Sequence, residues 1–393
     1  HDYALRLLDL ETGKVLSTLI GHTNTISSIA VTGDGRIAVS ASWDGTLKVW
    51  DISAALDKIE AVDSDLPKRP DILWCVAITP DSKLAIAGGS SKTLEVWDIK
   101  EGRIIKTLGR HDGTVYGIVV SPDGHYAISG ADWDLIIWGL ASGEVIQTIR
   151  GGEDHSILDI AVTSDFKQIL SASFDGTLTL RQINSGQIIK ILRVRPYRGA
   201  HYWALRPYSV ALTPDDQFAV AAYGDGIIRV WDLRRSENAR EFRGHSDRAW
   251  GVAVSRDGHL AVSASWDGTI KVWDLQSKSH GNPTPSRNPD KDSTKYYKAQ
   301  RSETYRPARI DESMATLTAH SDRVWKVAIS SDFRYAASTS DDRTLRVWDL
   351  RTMRLAMTYW ATSQLYVCDI TPDGRTFVIG DAARGVHVID WVH

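Results

Sequence analysis

The chain has 393 residues, enough for two or three domains at about 150 residues each, or for one large repetitive domain. At 42% hydrophobic and 24% charged it carries apolar material for a sizeable core and is not disordered overall. Its 46 Lys and Arg against 49 Asp and Glu leave a formal charge of -3, so no overall field favours nucleic acid or an anionic membrane, and no apolar run reaches the roughly 18 to 20 residues of a membrane span.

The opening stretch, HDYALRLLDLETGK, lacks the basic, apolar and small-residue pattern of a secretory leader and starts on His rather than Met, so a longer parent polypeptide is expected. Cys75 and Cys368 are too few for a disulfide framework or a metal knuckle. So sparse a cysteine content suits a reducing compartment, and the cytoplasm is the expected location.

From residue 14 onward the chain reads as short strands. KVLSTLI (14–20) leads to Gly21-His22, and ISSIAVT (26–32), RIAVSAS (36–42) and TLKVW (46–50) follow, separated by turns at GDG and WDG. Val, Ile, Thr and Trp favour strands, and Asp-Gly supplies the positive-φ turn residue at little steric cost. The unit then repeats: Trp50, Trp97, Trp138, Arg181, Trp231, Trp273, Trp348 and Ile389 fall at one phase, about 42 residues apart where nothing is inserted. Leu8 stands at the same phase in a partial copy. Each unit is a four-stranded antiparallel meander, and that period predicts an all-β propeller whose blades stack face to face around a channel.

Gly21-His22 with Trp50-Asp51, Gly244-His245 with Trp273-Asp274, and Ala319-His320 with Trp348-Asp349 resemble the tryptophan-aspartate (WD) repeat family, and the likeness covers essentially the whole chain. It implies that an innermost strand follows each Gly-His and that Trp-Asp closes the third strand. Inner strands then begin near residues 25, 72, 114, 156, 206, 248, 323 and 364. Eight blades of four-stranded sheets are expected, with seven as the alternative should one degenerate unit fail to form. Residues 1–393 form a single propeller domain on this reading. The C-terminal unit (Leu365 to Trp391) stops after three strands, and the N-terminal outer strand 14–20 is expected to complete that blade and close the ring. The segment Ala4 to Leu10 has no place in this scheme.

The resemblance also implies a hydrogen-bonded set in each regular blade: His22, Ser40, Asp44 and Trp50; His245, Ser263, Asp267 and Trp273; His320, Ser338, Asp342 and Trp348. Ser42, Ser265 and Ser340 share the same strand faces, which leaves the serine choice open. Ser, His and Asp together can signal a nucleophile. Recurrence in three units argues instead for buried polar groups that satisfy one another. Ser91, Arg181 and Ile389 break the pattern in the second, fourth and eighth units, where weaker bracing is expected.

Three insertions interrupt the period, at 53–71, 193–207 (RVRPYRGAHYWALRP) and 276–313. The last is polar, contains Pro283, Pro285, Pro289 and Pro307, and is expected to be a disordered loop. It reads either as a solvated connection or as a docking or phosphorylation segment with Ser286, Ser293 and Thr294.

The first positions of the inner strands are Ser27, Trp74, Tyr116, Leu158, Tyr208, Trp250, Trp325 and Tyr366. The resemblance places them at the channel mouth, on the face used for partner binding. Trp43, Trp133, Phe174 and Trp266 precede turn aspartates on what should be the same face. Arg206, Arg248 and Arg323 stand two residues before rim positions, and the 193–207 insertion adds Arg193, Arg195 and Arg198 with Tyr197, Tyr202 and Trp203. Such aromatics dominate interface hot spots, and arginine both stacks on rings and grips carboxylates or phosphates. Packing between blades is the plainer use of the same rings.

There is no Gly-rich phosphate loop, no helical two-His pair and no G-x-S-x-G elbow, so neither an enzyme, a cofactor nor a metal is expected, although a channel site assembled from several blades would leave no motif. The arginine-aromatic sector could stack nucleic-acid bases or hold an anionic ligand. The balanced charge argues against nucleic acid, and the expected function is a non-catalytic platform for a protein partner on the channel face. The last unit, LYVCDITPDGRTFVIGDAARGVHVIDW, together with internal units of the VTGDGRIAVSASWDGTLKVWDI type, resembles the C-terminal propeller of prokaryotic NB-ARC/NACHT signal-transduction ATPases. That likeness implies a ligand-sensing or autoinhibitory propeller covalently linked to an effector or nucleotide-binding domain, which this chain does not itself contain. Kinases or proteases with repeat tails, and a free-standing scaffold, are the alternatives.

Overall fold

Strands joined by tight turns pair most readily with their immediate neighbours, and in all but the terminal sheet that is what the chain does. The computed structural model describes residues 4–9, 14–20, 22, 24–32, 36–51, 61–62, 73–101, 103–132, 134–150, 156–194, 203–235, 240–276, 313–330, 332–361, 364–370, 376–381 and 386–390. Seven sheets are four-stranded antiparallel meanders in sequence order. Their innermost strands are Ile26–Val31 (blade 1), Leu73–Ile78 (blade 2), Gly117–Val120 (blade 3), Ile157–Val162 (blade 4), Pro207–Leu212 (blade 5), Ala249–Val254 (blade 6) and Val324–Ile329 (blade 7).

The chain ends form a different sheet, of five strands, in the order Lys14–Ile20, Ala4–Asp9, Val386–Asp390, Thr376–Asp381, Leu365–Ile370. This closing sheet lies between blades 7 and 1, its strand Leu365–Ile370 packing against Val324–Ile329 on one side and Ile26–Val31 on the other. The expectation of eight four-stranded blades is therefore corrected to seven. The N-terminus delivers a hairpin rather than a single outer strand, so the terminal sheet is neither four-stranded nor wholly antiparallel. Ala4–Asp9 runs parallel to Val386–Asp390, with Leu8 opposite Ile389. Strand 14–20 pairs with Ala4–Asp9, not directly with the C-terminal unit, so the segment left without a place by the sequence makes the junction. Of the expected loop 276–313, residues 277–312 lie outside those described.

The core lies between blades. The second strands, such as Ile37–Ser42, Leu84–Gly89 and Leu260–Ser265, are buried on both faces, whereas the outer strands Val145–Arg150 and Ile188–Arg193 are largely exposed. Each apolar cluster joins two neighbouring sheets: Leu94, Val96 and Leu108 of blade 2 meet Ala127, Ile136 and Trp138 of blade 3, and Ile228, Val230 and Phe242 of blade 5 meet Ala261 and Trp273 of blade 6. A four-stranded sheet cannot cover both of its faces alone, so closure of the ring is what removes these faces from water. Two turn glycines fit this closeness. At Gly226 (φ 79) an added Cβ would lie 2.6 Å from the Asp247 carbonyl oxygen and 2.9 Å from that of His245, and at Gly268 (φ 79) 3.2 Å from the His320 carbonyl oxygen. Both contacts are with the next blade's loop.

Candidate functional site: the channel mouth

Beneath the channel face lies a polar brace. In blade 1, His22 Nδ1 is 3.0 Å from Asp44 Oδ2, its Nε2 is 2.7 Å from Ser40 Oγ, and the Trp50 indole N–H donates to the same Oγ at 2.9 Å. Blade 6 repeats this with His245, Asp267 (3.0 Å), Ser263 (2.7 Å) and Trp273 (2.8 Å), and blade 7 with His320, Asp342 (2.9 Å), Ser338 (2.8 Å) and Trp348 (2.9 Å). The serine choice is thereby decided. Ser42, Ser265 and Ser340 do a separate task, accepting the amide N–H of Asp44, Asp267 and Asp342 and donating to loop carbonyls. The hydroxyls of Ser40, Ser263 and Ser338 are committed between imidazole and indole and wholly buried, so none is presented to a substrate.

A fourth set was missed by the sequence reading. His111 meets Asp134 at 2.7 Å and Ser129 at 2.6 Å, and the Trp138 indole donates to Ser129 at 2.8 Å. The His-to-Ser separation of 18 matches the other sets, which is the signal that could have found it. The turn here is one residue shorter, so the aspartate falls on the first strand position, four residues before Trp138, where Thr46 stands before Trp50.

Among the described residues, blade 5 shows no such set. Trp203 stands three residues before Arg206, the offset that His245 has from Arg248, but its ring lies against Arg248 of blade 6 rather than inside its own blade. Asp225 is held instead by Arg229, with Nη2 2.7 Å from Oδ2 and Nη1 3.0 Å from Oδ1, and Arg229 Nε reaches Glu241 at 3.1 Å. Burial would strip the Arg229 charge, but the two carboxylates more than offset that and hold the guanidinium firmly protonated. In blade 4 Arg181 replaces the tryptophan and is buried, with Nη1 donating to the Gly186 carbonyl at 3.3 Å.

The same backbone links bring turn and rim residues onto one face. The amide N–H of Trp43, Phe174, Trp266 and Asp341 donates to the carbonyl of Thr25, Ser156, Arg248 and Arg323, respectively, each of which stands two residues before a rim position. The rings then meet in two arcs. Trp43 packs edge-on against Trp74 (5.4 Å between centroids), which tilts against Tyr116 (6.0 Å). In the second arc Tyr208 stacks on Trp250 (4.4 Å), Trp250 on Trp266 (5.0 Å), and Trp325 meets Trp250 (5.2 Å), Trp266 (5.2 Å) and Tyr366 (5.5 Å) edge-on. Leu158 and Ser27 separate the arcs; the Ser27 hydroxyl is turned onto the Leu73 carbonyl. All of these rings are partly exposed, and the Trp325 N–H donates to Asp341 Oδ1 at 2.7 Å.

The arginines divide. Arg206 is buried, its guanidinium 3.2 Å over the centre of the Phe174 ring, so it serves the interior. Arg248 lies between the rings of Trp203 (4.5 Å) and Trp266 (4.6 Å), and Arg323 also lies over Trp266 (4.6 Å). Trp133, Arg195 and Arg198 lie outside the described residues. Burial pushes the thiols of Cys75 and Cys368 up to about 12, which leaves both protonated. Among the described residues, no three His, Cys, Asp or Glu side chains gather to hold a metal ion.

A family model for the WD domain, G-beta repeat, matches residues 13–51, 68–98, 102–139, 143–180, 199–232, 236–274 and 311–349. The chain belongs to the WD-domain, G-beta repeat family. Seven matched units agree with seven four-stranded blades rather than the expected eight. Similar proteins include autophagy-related protein 16 of Arabidopsis thaliana, 23% identical over 60% of this chain and 44% of that protein, and ribosome biogenesis protein YTM1 of Coprinopsis cinerea, 27% identical over 58% and 47%. Small ribosomal subunit protein RACK1 of Medicago sativa is 28% identical over 55% of this chain and 82% of its own length. The chain spans about half the length of the first two relatives. Among solved structures, the computationally designed Ika8 protein superposes with a TM-score of 0.71 at 20% identity, covering 98% of this chain and 100% of that one, which is a likeness of fold. The matched repeats and the stacked sheets together make this chain a WD-repeat propeller.

Proposed function

We propose that this WD-repeat chain is a docking platform whose protein partner seats at the channel mouth, over blades 5 to 7 and the closing sheet. The observation that carries this reading is the second aromatic arc, an unbroken run from Tyr208 through Trp250, Trp266 and Trp325 to Tyr366, partly exposed throughout. Large rings with one polar edge lose much water-exposed area on binding at little entropic cost, which is why they dominate hot spots. The arc beside Trp43, Trp74 and Tyr116 is the secondary contact.

The finer reading is a ligand-sensing or autoinhibitory propeller of a larger signalling protein. It is supported by the resemblance of the terminal unit, LYVCDITPDGRTFVIGDAARGVHVIDW, to sensor propellers of that class. A partner seated on the mouth would contact several blades at once and so could report its presence to a linked domain.

The test is affinity capture from source-cell lysate with the wild-type chain and with the W250A/W325A double variant, followed by mass spectrometry. A protein that is captured by the wild type and lost with the double variant supports the platform. Identical captures, or capture of nucleic acid alone, contradict it.

A further inference from the structure

We infer that the notch between Trp203 and Trp266 is a carboxylate subsite, and that the partner reaches it with an acidic side chain in an exposed segment. This rests on the platform reading and names the chemistry of one of its contacts. Two guanidinium groups, those of Arg248 and Arg323, lie over one indole, each 4.6 Å from the Trp266 ring. Cation–π attraction holds each of them singly, but like charges sharing one ring repel unless an anion lies between them.

No ion pair within 4.0 Å is made by Arg248 among the described residues, and Arg323 has only a long contact, 3.9 Å from Nη1 to Asp341 Oδ2. The Trp266 indole N–H is shielded from water and meets no acceptor among the described residues. Each neighbouring carboxylate has one oxygen engaged by an N–H. Asp247 turns one oxygen onto the Arg248 amide N–H (2.7 Å), Asp322 does the same for Arg323 (2.8 Å), and Asp341 takes the Trp325 N–H. What the notch lacks is an acceptor with two oxygens, and a carboxylate facing two guanidinium forks is the charge-assisted geometry that satisfies them. The Trp203 ring, from the loop before the inner strand of blade 5, forms the second wall around Arg248.

The probe is capped hexaglutamate, with capped hexaglutamine and hexalysine as controls, titrated at low salt and followed by indole fluorescence and calorimetry. Hexaglutamate is expected to bind saturably, to weaken as NaCl is raised, and to lose at least about tenfold in affinity in R248Q/R323Q, while R248K/R323K keeps part of the binding. Thermal midpoints of the variants check that they are folded. Binding of hexaglutamine equal to that of hexaglutamate, an undiminished R248Q/R323Q, or no saturable binding at all overturns the subsite. If that happens while W250A/W325A still loses the captured protein, only the carboxylate inference falls. If the capture too is insensitive, the platform falls with it.

Discussion

Trp250 and Trp266 stack with centroids 5.0 Å apart and planes 15° from parallel, although one opens the inner strand of blade 6 and the other sits in a turn of that blade. The Trp266 amide, bonded to the Arg248 carbonyl at 3.0 Å, is what sets one ring above the other. The backbone of the repeat thus fixes a surface feature. W266A should remove one face of the stack and both cation–π contacts. Partner binding is expected to weaken by more than ~2 kcal/mol, as for a hot-spot ring, with a far smaller loss in chemical denaturation. An equal loss in both would make the stack a packing element.

His111 tests the brace that the sequence reading overlooked. Its imidazole is buried and bonded on both nitrogens, so H111A leaves Asp134 and Ser129 without that partner. A cost of about 1 to 3 kcal/mol in urea unfolding is expected, with partner affinity unchanged. H245A in blade 6 should behave alike. A stable variant that no longer binds would assign the histidine to the site.

Much of this architecture was readable because it is local. Asp-Gly turns, alternation within strands and the recurring Trp-Asp pair act over a few residues and repeat, so the family resemblance could be seen and, through it, the sets of His22, His245 and His320. His111 was obscured because its turn is one residue shorter and the carboxylate moved onto the strand. Trp203 hid in an insertion, and only the fold shows its ring against Arg248. The blade count failed for another reason: the pairing of Ala4–Asp9 with Val386–Asp390 joins the two chain ends, and no local pattern reports it.

The braces predict how stability follows pH. Burial lowers His22 and His320 below the ordinary 6.5, against the opposing pull of Asp44 and Asp342. Burial would raise Asp267 and Asp342, yet hydrogen bonds from His245 and His320 and their neighbours hold both well below 3.8. A histidine depressed in the fold binds its proton more readily when unfolded, so its contribution is complete above 6.5 and falls as the pH drops below it, by up to ~1.4 kcal/mol per unit for each residue. The aspartates add a further loss below 3.8. Urea unfolding should give a lower free energy at pH 5 than at pH 7.5. A flat profile would contradict the neutral, buried state of these rings.

Arg229 offers a double-mutant cycle. R229M leaves Asp225, itself buried, without its bidentate partner and should cost about 3 to 5 kcal/mol. R229M/D225N removes the stranded charge and should recover a substantial part. Additive losses in denaturation would show that the pair does not act as a unit.

The central claim is that a partner covers the channel mouth over blades 5 to 7, and hydroxyl-radical footprinting of the captured complex addresses it directly. Protection of Trp203, Trp250, Trp266 and Trp325, with Ile146 and Ile189 on the outer strands oxidised as in the free chain, is the predicted result. Protection of the outer strands with the four indoles still reactive would place the partner on the blade edges and contradict the account.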